Sequence, residues 1–195
     1  MVFTGTWELD SAIMYSYLDS CQLYSGTESK KMRTNDNKSA ARCLYGSTWK
    51  TFLRYNPDTG AKEFLPPDDI NPNLGKTKIR CMEPFLEIVF KEFQQLYFAD
   101  FEYDSVQITR NFEIKRHIDS KNIGESILVG FGEYTGGETV IEKEDGDEVV
   151  DIRNHLCKFN GSKYYHYVKP FTGGNRYSLV FFTQRKQKNI LELLK

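Results

Sequence analysis

The stretch KRHIDSKNIG, residues 115–124, sets a histidine and an aspartate one residue apart, with Asn122 three positions further on. Side chains on a β-strand alternate with period two, so a strand here puts His117 and Asp119 on one face. Alone, such a pair is a common accident of surface strands, and its surroundings decide its meaning. The chain has three histidines, His117, His155 and His166. His166 sits in YYHYV, residues 164–168, a second short aromatic run whose strand brings another imidazole in from across a barrel. Two histidines and one carboxylate on one face of a metal make the facial arrangement of non-haem Fe(II) centres, which keeps coordination positions open. His155, in DIRNHLCKF, falls outside this pattern and reads as structural.

Ten residues after His166 comes Arg176, at the head of the apolar run RYSLVFF. A buried cation near a metal needs an anionic partner. Arg176, with Ser178 on the same strand face, offers a guanidinium fork plus a hydroxyl to a carboxylate. A dicarboxylate that reaches the metal at one end and this arginine at the other is 2-oxoglutarate.

Composition frames the site. At 195 residues the chain supports one buried core. Its 39% hydrophobic and 27% charged residues exclude wholesale disorder. The 14 Phe and 12 Tyr suit a β-rich core. The formal net charge of −1 offers no global attraction to nucleic acid or membrane, so any polyanion site must be a local patch. No apolar run is long enough to span a bilayer, and MVFTGTWELD lacks the basic and apolar regions of a signal peptide. Cys21, Cys43, Cys81 and Cys157 form no CxxC pair, which argues against a zinc knuckle or a disulfide framework. The expectation is an intracellular, reduced protein without an obligate protein partner.

Along the chain, LDSAIMYSYLDSCQLY predicts a short helix starting near Asp10 or Ser11. Residues 25–42 and 56–76 read as polar, mobile loops. The first carries Lys30, Lys31, Arg33, Lys38 and Arg42, and is either a solvated loop or one that grips phosphate. EPFLEIVFKEFQQLYF spaces Leu86, Val89, Phe90, Phe93 and Leu96/Tyr97 as one buried helix face, with Pro84 suited to its first turn. From residue 105 onward, SVQIT, SILVGFGE, ETVIEKE, EVVDI, LCKF, YYHYVKPF and RYSLVFFTQ read as strands. Asp145-Gly146 and Asn160-Gly161 are tight-turn dipeptides among them. Many short strands after a helix indicate a double-sheet roll or sandwich, so the class is α+β and mainly β. KQKNILELLK closes the chain as a short terminal helix.

The order HxD, about fifty residues, His, ten residues, Arg-x-Ser resembles the Fe(II)/2-oxoglutarate-dependent dioxygenases over roughly residues 81–184. That resemblance implies a double-stranded β-helix (jelly-roll, cupin-like) core with N-terminal helices packed on the sheet. It implies a single domain over 1–195, in which 1–80 is an N-terminal extension. It also implies His117, Asp119 and His166 as Fe(II) ligands, Arg176 and Ser178 as the seat of the 2-oxoglutarate C5 carboxylate, and dioxygen as co-substrate.

Within the superfamily, HxDxxN, the turn Gly132-x-Tyr134-x-Gly136-Gly137 and the HxVxPFxGxRYS-like segment at 166–178 resemble the ten-eleven-translocation (TET) and J-binding-protein branch, in a small form of viral, phage or algal type. That branch oxidises the 5-methyl group of pyrimidines in DNA. Enzymes acting on a duplex base flip it out and read its edge beside the reactive centre. Asn122 and, past the last strand, Gln184 are then candidate substrate residues, and their amides serve thymine as well as 5-methylcytosine, with a lean towards thymine. Asn122 reads equally well as a turn residue bonding its own backbone. Arg110, Lys115, Arg116 and Lys121, with Arg185, Lys186 and Lys188, are candidate phosphate contacts for a DNA partner. A prolyl or other protein hydroxylase, and a small-molecule or nucleotide hydroxylase, are the alternatives.

Overall fold

The computed structural model describes residues 2–21, 41–46, 53–55, 62–64 and 86–184. In chain order the elements are α1 (Trp7–Ser20), β1 (Ala41–Gly46), β2 (Leu53–Tyr55), β3 (Lys62–Phe64) and α2 (Leu86–Tyr97). There follow β4 (Ser105–Arg110), β5 (Asn122–Phe131), β6 (Tyr134–Gly136), β7 (Thr139–Lys143) and β8 (Gly146–Val150). Last come β9 (Cys157–Phe159), β10 (His166–Val168), β11 (Phe171–Gly173) and β12 (Tyr177–Gln184). One sheet runs β1-β4-β12-β5-β9 and a smaller one β10-β7-β8, with β11-β6 and β2-β3 as separate pairs. All the paired strands are antiparallel.

Period-two alternation divides the main sheet into two chemically different faces. Val106 and Ile108 of β4, Ile127, Val129 and Phe131 of β5, and Tyr177, Leu179 and Phe181 of β12 bury themselves against Met14 and Leu18 of α1 and Leu86, Val89, Phe90 and Phe93 of α2. Phe93 is the hub of this layer, with ring centroids 4.9 Å from Tyr97, 5.5 Å from Phe3, 5.8 Å from Trp7 and 6.0 Å from Phe131. Each full burial of such a side chain contributes about 1.5–3 kcal/mol. The intervening residues point into the roll. There Leu128, Cys157 and Phe159 of the main sheet meet Ile141 of the smaller one.

α2 follows its periodicity, except that Leu96 is exposed and Tyr97 takes the inward place. α1 begins at Trp7, earlier than the expected Asp10 or Ser11, because Trp7 is held by tertiary contacts. Its ring stacks edge-on to Tyr97 at 4.6 Å, and its Nε1 donates to Asn154 O at 2.6 Å. The β7–β8 turn also sits one residue earlier than the dipeptide suggests. Lys143 pairs with Gly146, leaving Glu144 and Asp145 as the loop, and Gly146 takes the positive φ of +126°. β1 pairs along its whole length with β4, so the main sheet draws on residues before 81. Most of the loops expected at 25–42 and 56–76 lies outside the described residues, as do Pro84, the terminal helix and Arg185, Lys186 and Lys188. Among the described residues, no helix is long and apolar enough to cross a membrane.

Asp10 ties the N-terminal segment to this layer. Its fully buried carboxylate accepts from Thr4 N at 2.6 Å, Thr4 Oγ1 at 2.8 Å, Gly5 N at 2.8 Å and Tyr97 Oη at 2.6 Å. Burial alone would raise the pKa of this group, but the bonds from Tyr97, Thr4 and Gly5 outweigh it and leave the pKa below its ordinary value. A depressed folded-state pKa stabilises the fold above the unfolded pKa, and that contribution is lost as pH falls through the folded value. Asp10→Ala strands these donors and is expected to cost about 2–4 kcal/mol at neutral pH. The loss shrinks in acid, where the wild type gives up the same contribution, and urea unfolding at neutral and acidic pH measures both limits. An equal loss at the two pH values would remove the carboxylate account.

Candidate metal centre

His117 and Asp119 do not lie on a regular strand. Asn111, with φ of +49°, turns the chain away from the end of β4, and residues 112–116 run irregularly back across the mouth of the roll. One antiparallel bridge pins them: His117 N donates to His166 O and His166 N to His117 O, both at 3.0 Å. Val168 N bonds Ile114 O at 3.0 Å and Asp119 N bonds Gly161 O at 2.9 Å. The bridge to β10, rather than a pleat, is what brings the imidazoles together.

The two rings face each other with centroids 4.2 Å apart. His117 Nε2 stands 3.5 Å from Asp119 Oδ1, and His166 Nε2 stands 3.7 Å from Asp119 Oδ2. Ligand atoms of all three residues fall within 4.8 Å of one another, a spacing that a single ion can bridge. Each ring is oriented by its other nitrogen, His117 Nδ1 against Lys115 O at 2.8 Å and His166 Nδ1 against Tyr164 O at 3.0 Å. Backbone acceptors of this kind select the tautomer with Nε2 free for a metal. Burial pushes the His166 pKa down, so this ring is neutral and available as a ligand. His155 is exposed and has no part in the cluster.

A cavity of about 330 Å³ extends from the triad into the roll, and its lining includes Asn122, Thr139, Arg176 and Ser178. Alternation explains this face too: Arg176, Ser178, Val180 and Phe182 precede or interleave the helix-facing Tyr177, Leu179 and Phe181. Arg176 is fully buried, and burial lowers its pKa from the usual guanidinium value. Nη2 donates to Gly137 O at 3.1 Å, whereas Nε and Nη1 have no hydrogen-bond acceptor. Gly137 is needed beside it, because at φ of +75° a Cβ would stand 2.8 Å from Arg176 Nε. Ser178 Oγ lies 2.6 Å from Thr109 Oγ1. Asn122 donates from Nδ2 to Asp119 Oδ2 at 3.3 Å, which orients both the amide and the carboxylate.

Of three other sequence candidates, two stand elsewhere and the side chain of the third is not described. Arg110 shares the parity of Val106 and Ile108, so it is buried under the helices near the Tyr177 hydroxyl and is absent from the cavity lining. Arg116 is exposed and committed to Glu142 through two 2.7 Å bonds, with its guanidinium 3.7 Å from the centre of the Tyr165 ring. Gln184 pairs with Asn122 in backbone register, and its side chain lies outside the described residues. Sequence reasoning missed Gly161, which accepts from Asp119 and where a Cβ would come within 3.1 Å of Asp119 Oδ2. It also missed Thr139, which lines the cavity beside Arg176 and Ser178.

No family model matches the chain, and no characterised protein matches it in sequence. Among solved structures it resembles NgTET1 in complex with 5mC DNA at 18% identity, covering 96% of this chain and 75% of that one with a TM-score of 0.52. A Pseudomonas putida prolyl-4-hydroxylase matches at 20% identity over 51% of this chain and 62% of its own, with a TM-score of 0.36. A 2OG-Fe(II) oxygenase-family oxidoreductase from Burkholderia pseudomallei matches at 18% identity over 73% and 66%, with a TM-score of 0.39. The fold of this chain is thus the one seen in NgTET1, a mainly β jelly roll with helices packed on its larger sheet.

Proposed function

We propose that this chain is an Fe(II)- and 2-oxoglutarate-dependent dioxygenase that hydroxylates the 5-methyl group of a pyrimidine base, thymine or 5-methylcytosine, in DNA. The observation that carries the reading is a cavity with a two-imidazole, one-carboxylate cluster at its mouth and a buried cation with two idle nitrogens deeper inside. That donor set suits Fe(II) with positions left open, and the idle guanidinium calls for an anion. His117, Asp119 and His166 would hold the metal, and Arg176 with Ser178 would hold 2-oxoglutarate. Iron and 2-oxoglutarate together supply the activation of dioxygen for hydroxylation of a C–H bond.

The chain's own residues do the rest. Lys115 O and Tyr164 O fix the imidazoles, the bare Cα of Gly161 leaves room for the Asp119 carboxylate, and Phe159, Val180 and Phe182 keep the interior apolar. The base reading rests on Asn122, which lines the cavity and, after its bond to Asp119, retains its carbonyl and one N–H for a Watson–Crick edge. The shared fold with NgTET1, itself seen with 5mC DNA, supports that choice. Exposed Lys115 and Lys121 beside the triad are available to phosphates.

The test is nucleoside mass spectrometry on duplex DNA containing thymine and 5-methylcytosine, after anaerobic loading with Fe(II) and 2-oxoglutarate and then admission of air. A gain of one oxygen on either base, absent when 2-oxoglutarate is omitted, is the expected result. Turnover should fall steeply from low to moderate salt, because phosphate contacts dominate affinity for DNA. Succinate formation with unchanged DNA would keep the oxygenase and remove the base as substrate.

A further inference from the structure

The bridge that joins His117 to His166 has two sides, and the imidazoles take the inner one. Successive residues on extended chain point to opposite faces, so Arg116 and Tyr165, each one position before a histidine, lie on the outer face. Exposure follows this division: His166 is 7% exposed and Tyr165 is 43% exposed. β7 obeys the same rule beside β10, with Ile141 buried inside the roll and Glu142 outside it. Glu142 N donates to Tyr165 O at 2.9 Å, next to the pairing of Ile141 with His166. On the outer face Arg116 closes over both neighbours. Its Nε and Nη2 each donate to the Glu142 carboxylate at 2.7 Å, and its Cζ stands 3.7 Å from the centre of the Tyr165 ring. An ordinary surface pair looks different. Lys143 and Glu148, 2.6 Å apart, join two strands of one hairpin, and exposed pairs of that kind contribute little. Arg116 instead spans from the irregular segment before His117, past β10, to β7, with two bonds and a stacked ring.

We propose that Arg116, Glu142 and Tyr165 form a clasp that positions the metal centre, holding the His117 imidazole against that of His166 from the outer face. The inference rests on the metal centre of the function proposed above. His117 and Asp119 are carried by a segment outside any regular strand. Its backbone is tied to the roll by the bonds between His117 and His166, from Val168 N to Ile114 O and from Asp119 N to Gly161 O. A ligand set binds its ion tightly when its geometry is fixed beforehand, because ordering it on binding costs affinity. A bidentate pair and a cation over a ring both resist the movement that would carry His117 away from His166. The clasp acts through the backbone that carries the two histidines, so its members are positioning residues.

Anaerobic titration of the full chain with Co(II), whose visible absorption bands report ligand geometry, tests this without 2-oxoglutarate or turnover. Arg116→Met and Glu142→Gln are each expected to weaken Co(II) binding about 5- to 10-fold and to shift the bands. The double variant should lose no more than either single one, because both act through one clasp. Arg116→Lys, which keeps the charge and loses the fork, should fall between wild type and Arg116→Met. Both side chains reach solvent, so the metal-free Tm should stay close to that of wild type in every variant. High salt should narrow the gap between wild type and the variants. Wild-type affinity and bands in Arg116→Met and Glu142→Gln would overturn the proposal, as would additive losses in the double variant. A lowered metal-free Tm with unchanged Co(II) binding would also overturn it, leaving a structural contact. Absence of Co(II) binding by the wild type would instead overturn the proposed function, and this assignment with it.

Discussion

His166→Ala is expected to abolish metal-dependent turnover and to weaken Fe(II) binding by more than the roughly 10–100-fold that loss of an outer-sphere partner costs. Under the proposed function the ring would supply one of three protein ligand atoms, and no other histidine, cysteine or acidic side chain joins the cluster among the described residues. The fold should survive. The bridge that joins His166 to His117 is made by backbone atoms, and the truncated side chain opens onto an existing cavity instead of a sealed core. The substitution chiefly removes the edge-on packing of the ring against Phe159, 4.9 Å between centroids. Circular dichroism and the thermal midpoint should therefore stay close to wild type while anaerobic Fe(II) titration fails. His155→Ala is the control: its ring is exposed and bonded only locally to Arg153 O at 2.8 Å, so metal affinity should not move. Unchanged iron binding in His166→Ala would remove the metal centre assigned here.

How much of this site the sequence discloses depends on which physical rule places each residue. Arg176 and Ser178 are legible because the chain alternates with period two from Arg176 into the first half of β12, which puts them opposite Tyr177 and Leu179. The same rule, applied to β4, argues against Arg110 at the site, since it falls on the face of Val106 and Ile108. Nearness to the HxD pair along the chain favours the site and strand parity favours the core, and parity prevails in the structure. His117 and Asp119 converge with His166 as expected but by another route, through a single backbone bridge across an irregular segment. No local pattern encodes a long-range bridge of that kind. Thr139 is harder still, because its place in the cavity beside Arg176 is a property of assembled neighbours alone.

The fold divides similarly. α2 and the strands from 105 onward are written in periodicity and turn residues. The strand β1 is not: ARCLYG, at the end of a polar, basic stretch, lacks an apolar alternation, and its place at the sheet edge comes from backbone pairing with β4. Edge strands carry weak side-chain signals because only one of their borders is paired and their outer face needs no apolar residues. The early start of α1 is likewise a matter of Trp7 finding Tyr97 and Asn154, residues far away in sequence.

Arg176→Met should change stability and binding in opposite directions. In the ligand-free protein, Arg176 is a fully buried cation whose Nε and Nη1 have no acceptor, and each buried group left unsatisfied costs about 1–3 kcal/mol. Its one hydrogen bond to the backbone runs to a neutral acceptor, Gly137 O at 3.1 Å, and burial already drives its pKa down. Methionine fills a similar volume between the rings of Tyr134 and Phe171 and makes favourable sulfur–aromatic interactions. Replacing an uncompensated buried charge with a packed apolar group is therefore expected to raise ligand-free stability by about 1–4 kcal/mol. Among the described residues, the same substitution removes the only cation lining the inner cavity, the exposed Lys121 lying at the mouth. Affinity for 2-oxoglutarate should then drop by about 100-fold or more, as expected when a bidentate, charge-assisted pair is broken. Urea unfolding without ligand and calorimetry with 2-oxoglutarate read the two effects separately. A variant less stable than wild type and unaltered in affinity would make Arg176 a structural residue. The expected pattern, more stable and unable to hold the dicarboxylate, would mean that the fold tolerates a cost at this position that only the ligand removes.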